Sequence, residues 1–204
     1  MKSILPVSAT LAMILGVFSL HAAGQTSPAA MPAPATDNID VAANFTYKVA
    51  KIASTTTNFV MPGGSLDAAY NFGGKAGGLS LVGDANFEEK SSIEPGVNLR
   101  QFSVMGGARY TFRFAKYNPH GFDLYGQILG GEVFASHSLF PYPSGATTSA
   151  SSGAFQAGGG ANLRLTHSIA LRLVGVDFVS TSLPNSTNNR QYDVRFENGV
   201  VFRF

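Results

Sequence analysis

Apolar and polar residues alternate one by one in eight separate stretches between Ile39 and Phe204, and this period of two constrains the fold more than any other feature. Successive side chains of a β-strand point to opposite faces of the sheet, so the alternation predicts eight strands, each with one apolar face. Two residues break the pattern. Asp177 falls on the apolar side of the seventh stretch, which a β-bulge or the end of a membrane zone would explain. Asn198 is the exception in the eighth.

The connections between the stretches alternate in length. Two are tight, one is intermediate and four are longer: Gly73–Gly77 and Thr166–Ser168, then Arg113–Gly121, then Lys51–Gly64, Glu88–Asn98, Ser136–Gly153 and Ser180–Asn189. Short turns on one side and long loops on the other are typical of up-and-down barrels that span an outer membrane. We expect all prolines after residue 39, Pro62 among them, to lie in connections, because proline cannot donate to a strand ladder.

Five cations and five anions fall on the polar face of the predicted strands. They are Lys48, Asp67, Asp84, Arg109, Asp123, Arg164, Arg172, Asp193, Arg195 and Glu197. Opposite charges in a narrow interior can neutralise one another, whereas a lone buried charge is very unfavourable. Because eight strands leave an interior just wide enough for side chains, we interpret the set first as a structural plug and second as a conducting path.

The composition distinguishes two barrels that share this alternation. A soluble barrel of the lipocalin kind would turn its apolar face inward, and a membrane barrel would turn it outward. Only 13% of the residues are charged, against about 25% in an ordinary soluble domain. Aromatic residues at both strand ends also predict the two belts of a spanning barrel. Tyr70 and Phe112 would lie at the rim with the short turns, which we call the lower end, and Phe87 and Phe102 toward the opposite, upper end. The predicted fold is therefore all-β, an eight-stranded antiparallel transmembrane barrel.

The N-terminus has the features of a secretory signal peptide in residues 1–24. Lys2 precedes the mainly apolar run from Ile4 to Leu20, and small residues follow as a cleavage site before Gln25. A retained membrane anchor is the alternative, but the run is short for crossing a bilayer. Residues 25–38 form a Pro/Ala-rich polar tail, and residues 39–204 form the predicted barrel.

The last strand carries a terminal motif. Glu197, Gly199, Phe202 and Phe204 occupy the polar, glycine and two aromatic places of a pattern that resembles the signal read by the barrel-assembly machinery of outer membranes. Residues 39–204 as a whole resemble small eight-stranded outer-membrane barrels of the OmpA/OmpX type. The resemblance implies a location in the bacterial outer membrane, with lipid and the assembly machinery as partners. Because the resemblance covers the barrel domain alone and no peptidoglycan-binding domain, we expect no cell-wall tether.

Three functions fit such a barrel, and we expect a protein that is not an enzyme. The first is a structural barrel or a narrow, porin-like passage. The second is adhesion or binding through the outer loops, notably residues 136–153, which are rich in Ser, Thr and Gly. The third is a lipid-modifying enzyme. Lipid A deacylase barrels carry serine two positions after histidine, whereas His137-Ser138 and His167-Ser168 are adjacent and would point to opposite faces.

No cofactor or metal site is predicted, because the four histidines are scattered and the chain has no cysteine. A formal net charge of +2 is too weak to indicate nucleic-acid binding. We expect a monomer.

Overall fold

The computed structural model describes residues 38–51, 58–73, 77–94, 97–114, 120–143, 145–185 and 188–204. Eight strands contain most of them: β1 Ile39–Lys51, β2 Asn58–Asn71, β3 Gly77–Glu94, β4 Val97–Arg113, β5 Gly121–Phe140, β6 Thr147–Arg164, β7 Ile169–Thr181 and β8 Gln191–Arg203. Each strand pairs antiparallel with its neighbours in the chain, and β8 pairs with β1 to close the barrel. The predicted all-β fold is confirmed. The predicted signal peptide and the tail up to residue 37 lie outside the described residues.

The strands are staggered around the barrel. A path of paired residues that leaves β1 at Ile39 passes Tyr70, Leu81, Ala108, Ile128, Ala157, Phe178 and Val194 and returns to β1 at Val49. The return point is ten residues farther along β1, which is the shear of the barrel. Such a stagger tilts the strands by roughly 40°. About ten residues of a strand at this tilt cross the apolar layer of an outer membrane.

Below the upper sheet, the apolar face of each strand points outward. Phe45 is 71% exposed and Ile128 is 61% exposed, whereas Lys48 and Asp123 are buried inside. The predicted aromatic belts are also outside, and rings contact one another in both, as in Tyr110–Phe112 below and Phe102–Phe134 above. This arrangement is the reverse of a soluble barrel.

A β-bulge in β7 explains the broken alternation. The register with β8 shifts between Arg172 and Gly175, and both Leu173 and Val174 face outward. The extra outward residue changes the phase of the strand, so Asp177 is buried inside. Asn198 stays exposed on the outer face, as its position in the alternation predicts.

The expectation that every proline after residue 39 lies in a connection is wrong for Pro62. This residue lies inside β2, opposite Tyr47 of β1. The pairing of β2 with β3 begins only at Gly63, so β2 has a single hydrogen-bonded neighbour at Pro62. Proline is tolerated at such edge positions because no partner there requires its missing N–H.

Four neighbouring strands are longer than the rest. β3 to β6 have 17 to 20 residues, whereas β1, β2, β7 and β8 have 13 or 14. β2 pairs with β3 only as far as Glu88, and β7 pairs with β6 only as far as Ala154. The residues beyond these points, 89–94, 97–100, 135–140 and 147–153, form what we call the upper sheet. It stands above the barrel at the end away from both barrel termini.

Candidate functional site

All ten residues of the predicted charge network face the interior, and none is more than 6% exposed. Five further charged residues join them: Asp40, Glu88, Arg113, Asp177 and Arg203. Asp40 and Arg203 occupy polar-face positions of the alternation in β1 and β8, so the sequence pattern alone indicates that they face inward. Glu88 and Arg113 were assigned to connections, because the strands run farther than the sequence indicates. Asp177 falls on the apolar side of the alternation in the sequence, and only the bulge in β7 turns it inward.

A lower cluster lies near the barrel termini. Asp123 is contacted by Arg203, with Nη2 2.6 Å from Oδ2, and by Arg164, with Nε 3.1 Å from Oδ1. Arg113 and Arg203 also lie within 3.4 Å and 3.7 Å of the Asp40 carboxylate. Three guanidinium groups therefore surround two carboxylates, and together they join β1, β4, β5, β6 and β8.

A middle cluster is built around Asp67. Its two oxygens lie 2.9 Å from Arg109 Nη1 and 2.6 Å from Arg172 Nη1, and Arg172 Nη1 also lies 3.3 Å from Glu197 Oε2. The Tyr125 ring lies beside both guanidinium groups, whose carbons are 4.7 Å and 4.9 Å from its centroid. Cation–π contacts add to the ion pairs here, because the site is shielded from water.

Two carboxylates next to this cluster have hydrogen bonds in place of ion pairs. Asp177 accepts a hydrogen bond of 3.0 Å from Gln127 Nε2, and Asp84 accepts one from the Asn86 amide. Within the described part of the chain, no ion pair includes Asp84 or Asp177. Asp84 is therefore a member of the predicted network by its position, but it has no cationic partner in contact.

An upper cluster lies below the upper sheet. Glu88 binds Lys48 Nζ at 2.8 Å and Arg195 Nε at 2.5 Å through its two oxygens. Asp193 is farther from Lys48, at 3.9 Å, and Gln156 accepts a hydrogen bond of 2.8 Å from Arg195. The two positive and two negative charges of this cluster give it no net charge.

Apolar side chains fill further interior space. One cluster is formed by Ala69, Val82, Met105, Leu129 and Val179. A second cluster packs on the underside of the upper sheet and includes Val133, Ala135, Phe140 and Leu183. Leu183 follows β7, so the chain after β7 covers the top of the barrel interior.

The terminal motif lies at the seam between β8 and β1. Phe202 and Phe204 face outward, and Glu197 lies in the middle cluster. A Cβ atom on Gly199 would lie 2.6 Å from Asn44 Oδ1 and would also meet the Ala43 carbonyl, so the seam requires glycine there. Recognition of this motif by an assembly machinery stays a prediction.

The two halves of the upper sheet differ in charge. In the β3–β4 half, Arg100 forms an ion pair of 3.1 Å with Glu89 on the outer face. In the β5–β6 half, the whole segment 133–163 contains no Asp, Glu, Lys or Arg. Its one histidine, His137, lies with Nδ1 3.0 Å from Ser136 Oγ, and no described carboxylate forms an ion pair with it.

No group of three potential ligand residues in the described segments could hold a metal ion. The described residues also include no helix of the length and apolarity needed to cross a bilayer.

Comparisons with solved structures support the fold. Neisserial surface protein A is similar with a TM-score of 0.61 and 16% identity, over 82% of this chain and 97% of that chain. Ail of Yersinia pestis, solved with the heparin analogue sucrose octasulfate, is similar with a TM-score of 0.53 and 15% identity, over 81% of this chain and 97% of that chain. No protein-family model and no curated protein matches the sequence.

The expected resemblance to small eight-stranded outer-membrane barrels is thus confirmed at the level of the fold. An apolar exterior around a charged interior is the arrangement that a bilayer stabilises and water does not. By its fold, the protein is an eight-stranded outer-membrane β-barrel.

Proposed function

We propose that this protein is a closed, non-enzymatic outer-membrane barrel that does not conduct and that carries the upper sheet at the cell surface. The filling of the interior supports this proposal most directly. Three ionic clusters occupy its lower, middle and upper levels, and two apolar clusters lie among and above them. An eight-stranded barrel has little space beyond that needed by such side chains.

A narrow passage fits the interior less well. An ion that crosses the barrel would have to displace Arg172 from Asp67 and Arg195 from Glu88, and each displacement would leave a charge without its partner in a water-poor site. Breaking a buried pair in this way costs about 3–5 kcal/mol. The apolar side chains beneath the upper sheet, such as Phe140 and Leu183, offer an ion no ligands in return.

Planar-bilayer recording of the purified, folded protein tests closure. The expected result is no conductance above that of the lipid alone. Slower or faster migration of unboiled protein than of boiled protein on a gel would verify that the barrel is folded before recording. Reproducible unitary currents from the folded protein would show that the proposal is wrong and would favour the porin-like passage.

Surface binding through the β5–β6 half of the upper sheet is the second candidate. Its tip exposes Leu139 and Tyr142 among small uncharged residues. The Ail structure contains an analogue of a polyanion, but segment 133–163 has no cation to bind one. An uncharged partner, such as a neutral glycan or an uncharged protein surface, fits this tip better, because aromatic and hydroxyl side chains recognise such surfaces.

Attachment assays with cells that display equal amounts of each variant test this binding. The double variant Leu139→Ser, Tyr142→Ser should lower attachment to a neutral-glycan surface, since it removes the exposed apolar groups but leaves Phe140 in the packed underside. Lys90→Gln, in the β3–β4 half, is the matched control and should attach like the parent. Equal attachment of all three proteins would contradict a binding role for the tip.

A further inference from the structure

A hollow of about 450 Å³ lies on the outer wall of the barrel. Gly64 forms its floor, and Phe45 of β1 and Phe87 of β3 are the residues paired with Gly64 on either side. Leu66 and Ala85 line its lower part. A glycine between two phenylalanines leaves a gap in the side-chain layer that would otherwise cover the strands.

This hollow faces the bilayer and not the barrel interior. Phe45, Leu66 and Phe87 all point outward and are exposed. Phe87 belongs to the upper aromatic belt, so the hollow opens into the outer leaflet. Its occupant must therefore be compatible with hydrocarbon.

The guanidinium group of Arg100 lies next to the hollow, beside Phe87. The residue pair Glu89–Arg100 follows Phe87–Phe102 on the outer face of β3 and β4, toward the upper sheet. The Arg100 guanidinium carbon lies 5.7 Å from the centroid of the Phe87 ring, and the side chain is 43% exposed. Arg100 uses Nε and Nη2 to bind Glu89, and none of the described residues accepts a hydrogen bond from Nη1.

We infer that the hollow and Arg100 form one lipid site, which takes a lipid with an anionic phosphate headgroup from the outer leaflet. One acyl chain fills the space above Gly64, and the phosphate accepts a hydrogen bond from Arg100 Nη1. Phe87 joins the two parts, because it lines the hollow and lies under the guanidinium group. The site goes beyond the proposed function and depends only on the membrane location and on the upper sheet lying at the extracellular side.

The two parts of the site contribute differently. An acyl chain gains no hydrophobic free energy when it moves from the bilayer to the hollow, so the hollow contributes packing contacts alone. The preference for an anionic lipid therefore resides in Arg100, because guanidinium groups bind phosphate through charge-assisted hydrogen bonds. Glu89 opposes this binding through its own negative charge, although it also holds Arg100 over Phe87.

Native mass spectrometry of protein released from phosphatidylcholine vesicles with a minor share of phosphatidic acid tests the site. The parent should retain phosphatidic acid in preference to phosphatidylcholine. Arg100→Gln should lower this preference about fivefold, the size expected for one partly exposed charge-assisted contact. Glu89→Gln should raise it, because the competing carboxylate is removed.

Gly64→Leu tests the hollow, since the added side chain would occupy it. Gly83→Leu is the matched control, because Gly83 also lies on the outer face of a strand, does not line the hollow, and has open space around its Cβ position. Arg190→Gln controls for the loss of an exposed arginine away from the site. Both controls should retain lipid like the parent.

A loss of retained phosphatidic acid in Arg100→Gln and in Gly64→Leu, but in neither control, would support the site. Unchanged retention in Arg100→Gln would overturn it, as would equal loss in all four variants. A dimer that Gly64→Leu dissociates would show that a second copy of the chain, and not a lipid, fills the hollow. None of these outcomes bears on conductance, so failure of the lipid site is distinguishable from failure of the closed-barrel proposal.

Discussion

The strand β5 passes through two environments, and its polarity reverses between them although its alternation does not. In its lower part, Asp123 and Gln127 face inward and Ile128 faces lipid. In its upper part, Val133 and Ala135 face inward, and Ser136 lies on the outer side. The barrel is thus organised like a membrane protein below the upper belt and like a soluble sheet above it. The period of two specifies which side chains share a face, and the surrounding solvent decides which face is polar.

The largest expected effect comes from a broken ion pair in the barrel. Arg172→Ala leaves Asp67 and Glu197 without their shared partner inside the middle cluster. The free energy of unfolding should fall by about 3–5 kcal/mol. Urea titration of the protein in lipid vesicles, followed by gel migration without boiling, measures this loss.

Arg100→Ala is the matched control for that prediction. It removes an arginine from an ion pair of similar length on the outer surface. Exposed pairs contribute less than about 1 kcal/mol. Equal losses in the two variants would mean that the interior is hydrated and that the contrast between the barrel and the upper sheet is wrong.

The next effect tests the outer faces. Ile128→Lys places a cation on the lipid-facing side of the barrel, and the expected cost is about 2–4 kcal/mol if the site lies near the bilayer midplane. Ser149→Lys makes the same change on the upper sheet, at a position exposed to water. It should alter the unfolding free energy by less than about 0.5 kcal/mol. A similar cost for both lysines would place the upper sheet inside the bilayer.

The smallest effect concerns the apolar underside of the upper sheet. Phe140→Ala removes the ring that packs with Val133 and Leu183. We expect a local loss of about 2 kcal/mol, below the usual range for a phenylalanine in a closed core, because Phe140 lies at the end of β5. Amide hydrogen exchange should accelerate in β5 and β6 above Phe134 and stay unchanged in the barrel. Acceleration throughout would show that the two regions unfold as one unit.

The sequence was sufficient for the strands and for the parity of nearly every residue, because the pleat alone sets both. It did not predict that β3 continues past Glu88 to Glu94, because the polarity reverses there, or that β4 continues to Arg113 at the lower end of the barrel. It also did not predict which charges meet. Arg172 and Asp67 are 105 residues apart, and their contact depends on the stagger of all eight strands. No local pattern in the sequence encodes that stagger.

The pairing of charges across such distances has a kinetic consequence. Arg195 and Glu88 are 107 residues apart, and like Arg172 and Asp67 they lie on strands that are not neighbours in the closed sheet. Hairpins between consecutive strands can form before these ions meet, because local contacts form with less loss of chain entropy. These two ion pairs then form only when β8 joins β1. Interactions that appear so late slow unfolding more than they speed folding, so these two pairs lengthen the lifetime of the inserted barrel.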